Sequence, residues 1–83
     1  MEVNKQRIGL TPRQQQVLAF LVAYQKSSGV YPTVREICKG KIEGKQAMPK
    51  MAAQSNVHRI LNCLARKGYI LKEINSPRGI AVI

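Results

Sequence analysis

Acidic residues are scarce in this chain. Four of its 83 residues are Asp or Glu, against fourteen Lys and Arg, and the formal charge is +10. The four acids, Glu2, Glu36, Glu43 and Glu73, are scattered, so no pair stands ready for general acid and base work. No glycine loop cradles a phosphate, and no nucleophile has a base at motif spacing. Enzymatic chemistry therefore finds no support, and the expectation is a non-enzyme without a cofactor. Histidine occurs once, at His58, and cysteine twice, at Cys38 and Cys63. A zinc site needs four ligands at recognisable spacing, so the two cysteines read as small structural thiols. No stretch approaches the roughly 20 apolar residues of a spanning helix. The opening MEVNKQRIGL has no apolar h-region, so it is neither a secretory signal nor a lipidation signal. The expected location is the cytoplasm, at the nucleoid, with no membrane partner.

What is present is enough for one small domain. Apolar residues make up 45% of the chain, and a chain of this length buries about 60–65% of the surface that its unfolded form exposes. The positive charge destabilises the compact state by self-repulsion unless a polyanion relieves it. Lys and Arg contacts to phosphates supply most non-specific affinity for nucleic acid, which makes nucleic acid the expected partner.

Residues 1–10 are a polar lead-in, and the folded domain is expected over 11–83. At TPRQ, Thr11 is placed to cap a helix, Pro12 suits its first position and Gln14 can complete a capping box. Val17, Leu18, Leu21 and Tyr24 then share one side until Gly29, which predicts a helix over 12–28. The stretch YPTVREIC repeats the start chemistry. Pro32 keeps Tyr31 extended, Thr33 caps and Glu36 is its box partner, for a short helix over 34–39 with Val34, Ile37 and Cys38 turned inward. Residues 39–53 have two glycines, a proline and several lysines with no consistent period, and read as an extended basic loop.

A third helix begins between Pro49 and Ser55 and ends at Gly68. Val57, Ile60, Leu61 and Leu64 form its apolar stripe, while Ser55, His58, Arg59, Asn62 and Arg66 fall on the far side. Beyond Gly68 the period becomes two. YILKEI and GIAVI read as strands around an NSPRG turn, a terminal β-hairpin. The fold expected from pattern alone is mainly α with a small β-hairpin, a winged helix-turn-helix of three helices plus wing.

LTPRQQQVLAFL, YPTVREI, LARKGYI and the final RGI, in this order and spacing, resemble the N-terminal DNA-binding domain of the LexA repressor family. The resemblance runs from about Leu10 to the C-terminus. Two departures stand out. The family has a compact turn between its second and third helices, where this chain carries several extra residues within Lys39–Ala53. The family's C-terminal half, which dimerises and cleaves itself with a serine and lysine pair, has no counterpart in these residues, so a free-standing domain is expected and self-cleavage is not carried over.

The resemblance implies that the start of the third helix enters the major groove and that the base-reading positions fall on Ser55, Asn56, His58 and Arg59. Their chemistry suits the task. Arg59 can fork to guanine, Asn56 can pair with adenine, and Ser55 can bond a base or a phosphate. His58 can donate or accept, which would make binding weakly dependent on pH. Expected backbone contacts are Thr33 and Arg35 at the start of the second helix, with Lys72, Asn75, Ser76 and Arg78 in the wing. Arg13 and Arg66 are weaker candidates, and Lys39, Lys41, Lys45 and Lys50 in the loop either tether or wrap the backbone.

The competing explanation of the polar stripe is a solvated helix face. Its basic character and its lack of Glu and Asp favour a partner. The expected function is sequence-specific transcriptional regulation through double-stranded DNA, as a repressor. An architectural or recombination accessory factor and a protein-interaction module on the same fold are the alternatives. Binding as a monomer, pairing through residues 1–10 and forming a homodimer on adjacent half-sites all stay open.

Overall fold

The computed structural model describes residues 9–73 and 78–83. Its elements run α1 (Pro12–Ser28), α2 (Val34–Lys39), β1 (Lys41–Ile42), β2 (Lys45–Gln46), α3 (Gln54–Arg66), β3 (Ile70–Lys72) and β4 (Ile80–Val82). Three helices and a terminal antiparallel hairpin make the winged helix-turn-helix that the pattern predicts.

Each of the first two helices opens on a complete capping box. Thr11 Oγ1 accepts from the Gln14 N–H at 3.1 Å, and Gln14 Oε1 accepts from the Thr11 N–H at 3.1 Å. Thr33 Oγ1 accepts from the Glu36 N–H at 3.2 Å, and Glu36 Oε1 from the Thr33 N–H at 2.9 Å. Both boxes satisfy backbone donors that a helix start leaves without partners. α3 differs, because its N-cap is Ala53, which offers no side-chain acceptor.

The core joins all three helices to the terminal hairpin. Val17, Leu18, Phe20 and Leu21 come from α1, Ile37 from α2, Val57, Leu61 and Leu64 from α3, and Ile70 and Ile80 from the strands. Burying an aliphatic or aromatic side chain of this size contributes about 1.5–3 kcal/mol. Tyr24 lies at the margin of the core, half-buried, with its ring centroid 5.8 Å from that of Phe20. β3 and β4 pair Ile70 with Val82, Leu71 with Ala81 and Lys72 with Ile80. At the end of α3 the Tyr69 N–H donates to Leu64 O at 2.9 Å. Lys67 of LARKG then reaches back across the domain, its Nζ donating to Gly9 O and, at 3.4 Å, to Gln14 Oε1. Cys38 and Cys63 are free, half-buried thiols.

The stretch 39–53, expected as a loop, contains a second hairpin. β1 and β2 pair Lys41 with Gln46 and Ile42 with Lys45. Glu43 and Gly44 between them both take positive φ, 51° and 82°, the signature of a two-residue hairpin turn whose twist matches its strands. The base of this hairpin is tied down. Ala47 and Met48 N–H groups both donate to Gly40 O, at 2.8 and 3.1 Å, and the Gln46 amide donates to Lys39 O and Met48 O at 2.8 and 2.7 Å. Met48 enters the core with 4% of its surface exposed, and the Met51 N–H donates to Cys38 O at 2.8 Å. Strands of two residues are too short for alternation to register in a sequence.

Candidate nucleic-acid interface

Ser55, Asn56, His58 and Arg59 are all exposed on the first turns of α3, while Val57, Leu61 and Leu64 of the same helix are buried. At about 100° per residue, the exposed arc is centred on Ser55, Arg59, Asn62 and Arg66. Asn56 and His58 stand on its opposite shoulders, about 160° apart around the axis. The sequence puts Ser55, His58, Arg59, Asn62 and Arg66 on one polar side and assigns Asn56 to none. The structure separates the two shoulders and gives each its own surroundings.

On the Asn56 shoulder the surface is concave. Asn56, Arg59 and Ile60 form one wall of a depression of about 350 Å³ that is completed by Arg13 from the start of α1 and by Lys50, Met51 and Ala52. Arg13, Lys50, Asn56 and Arg59 are exposed, Met51 and Ile60 half-buried. No acidic residue lines the depression. Among the described residues, the side chains of Arg13, Lys50 and Arg59 make no hydrogen bond or ion pair.

Further along α3, Lys72 of β3 donates through Nζ to Asn62 Oδ1 at 2.9 Å. This bond ties the wing to the exposed arc and fixes where the Lys72 ammonium sits. Asn62 is thereby a positioning partner that reading the helix period alone gives no reason to single out.

A third cluster forms at the start of α2. Arg78, just before β4, holds the Glu36 carboxylate with both ends of its guanidinium, Nη1 to Oε1 at 2.9 Å and Nη2 to Oε2 at 3.0 Å. Its Nη1 also donates to Tyr31 O at 2.8 Å. Arg78 beside the carboxyl is the largest cause that holds the Glu36 pKa at about 2, well below the ordinary 4.5, and the Thr33 N–H assists. Arg78 therefore fastens the wing to the α2 capping box and neutralises the acid there. The Tyr24 hydroxyl also bears on this pair, interacting with both Arg78 and Glu36. Thr33 is half-buried with its oxygen engaged as a cap, and Arg35 is exposed. Asn75 and Ser76 lie outside the described residues.

The LexA DNA binding domain model matches residues 7–79. The chain belongs to the LexA DNA-binding domain family. LexA repressor 1 of Geobacter sulfurreducens is 43% identical over 74 residues, which is 89% of this chain and 33% of that protein. The LexA repressor of Geotalea uraniireducens is 42% identical, with the same coverage of each chain. That of Geobacillus kaustophilus is 39% identical, over 89% of this chain and 32% of that protein. The chain thus spans about a third of the length of the curated relatives that it matches. Among the described residues no helix is long and apolar enough to cross a membrane, and no group of His, Cys, Asp and Glu is arranged to hold a metal.

Proposed function

We propose that this LexA-type domain is a sequence-specific regulator of transcription, a repressor, that lays α3 in the major groove of double-stranded DNA. The observation that carries this reading is the exposed, acid-free arc of α3, flanked by cations that have no partner among the described residues. Arg59 and Ser55 lie near the middle of the arc, where a groove-inserted helix meets base edges, and Asn56 and His58 read from its shoulders. Thr33, Arg35, Lys72 and Arg78 supply backbone contacts, which set register without reading sequence. Asn75 and Ser76, between β3 and β4 in the sequence, belong to the same set. The chain acts by binding, in the cytoplasm and without a cofactor, and a pair of copies on adjacent half-sites would account for a symmetric operator.

Selection from random duplex DNA at physiological salt tests the reading. A recovered motif supports a regulator, and its symmetry counts the bound copies. Retention without a motif turns the case toward an architectural binder, and no retention defeats the DNA reading. On the selected site, Arg59→Ala is expected to lose about 1–3 kcal/mol while hardly changing affinity for random duplex. Equal losses on both would remove Arg59 from the base readers.

A further inference from the structure

The depression beside α3 gathers cations from three separate parts of the chain. Arg13 comes from the first turn of α1, Lys50 from the segment that follows the β1–β2 hairpin, and Arg59 from α3. Three unpaired positive groups around one small concavity repel one another, at a cost that an anion would relieve. The apolar parts of the wall, Met51, Ala52 and Ile60, exclude water from one side and strengthen any charge–charge contact made there. The Lys50 segment does not wander. Met51 N–H is bonded to Cys38 O, Met48 is locked in the core, and the base of the hairpin is closed on Gly40. Lys50 therefore starts from an anchored backbone, with anchors on both sides of it.

We propose that the segment between α2 and α3 serves to deliver Lys50 to a phosphate seat shared with Arg13, and that one backbone phosphate of bound duplex DNA occupies it. This rests on the DNA reading above and adds a contact to it. Arg59 and Asn56 form the wall of the seat on α3, so a phosphate held by Arg13 and Lys50 lies beside the base-reading residues without reading sequence itself. The hairpin lysines Lys41 and Lys45 do not line the seat and take no part in it.

The test is the salt dependence of binding to the selected site and to random duplex for wild type, Lys50→Ala, Arg13→Ala, the double variant, and Lys45→Ala as a charge-matched control. Each released phosphate contact lowers the slope of log affinity against log salt by about one unit. Lys50→Ala is expected to weaken both duplexes by the same factor, about tenfold, with that loss of slope. Lys50→Arg should keep the slope. The double variant should lose less than the product of the two single losses, because both side chains address one phosphate. An unchanged slope for Lys50→Ala, or a loss no larger than that of Lys45→Ala, overturns the seat while leaving the DNA reading intact. A wild-type chain that holds no duplex overturns both.

Discussion

The hairpin β1–β2 and the hairpin β3–β4 share a plan, two short antiparallel strands, and are held by different forces. The terminal hairpin is fixed by its side chains. Ile70 and Ile80 sit in the core, Lys72 reaches Asn62, and Arg78 grips Glu36 across the domain. The internal hairpin is fixed chiefly by hydrogen bonds to backbone carbonyls. Gly40 O takes two N–H donors, the Gln46 amide bridges two carbonyls, and only Met48, just beyond the second strand, is deeply buried. The first arrangement depends on apolar area and one ion pair, the second on a few well-aimed polar groups and a turn that needs positive φ.

Breaking each hairpin by its own means sharpens the contrast. Ile70→Ala empties a site that is 1% exposed, and a loss of about 2–5 kcal/mol is expected in urea unfolding, shared by the whole domain. Gly40→Ala comes next. Its Cβ would collide with the Met48 carbonyl oxygen, and its φ of 68° disfavours any side chain. The expected cost is about 1–3 kcal/mol, with hydrogen exchange fastest at Ala47, Met48 and Met51. Global loss with no local exchange signature would mean that the internal hairpin is not a separate unit.

The smallest effect is expected from Arg78→Ala, and it is best seen as a function of pH. Glu36 has its pKa lowered to about 2 from 4.5, so the unfolded chain binds a proton before the folded one does. Its stabilisation is complete above the unfolded value and is lost as pH falls from 4.5 toward 2. Without Arg78 the Glu36 carboxyl should titrate closer to its ordinary value by NMR, and the acid-side fall in Tm should flatten over that window. A Glu36 titration that does not move would show that the capping N–H groups, not Arg78, hold the carboxylate.

The same contrast explains what could be read in advance. Thr11 with Gln14 and Thr33 with Glu36 announce two helix starts in four letters each, because capping chemistry is local. YILKEI and GIAVI betray the wing because its inward residues touch the core and impose a period. KIEGKQ imposes none, since its strands are two residues long, and Gly44 and Gln46 mark a turn and a side-chain bond rather than a period. Around the site, the polar arc of α3 follows from helical period alone. That Lys50 and Arg13 converge on Asn56, that Lys72 leans on Asn62, and that Arg78 is already engaged by Glu36 all depend on tertiary paths that no spacing encodes.

The two bonds accepted by Gly40 have a consequence for how this domain can change over time. The chain leaves α2 at Gly40 and comes back to the same carbonyl at Ala47 and Met48, so the excursion begins and ends at one point in space. Nothing downstream has to accommodate its length. The hairpin is thus a closed excursion from the helix-turn-helix, whose exposed turn can be re-charged while the path into α3 stays the same.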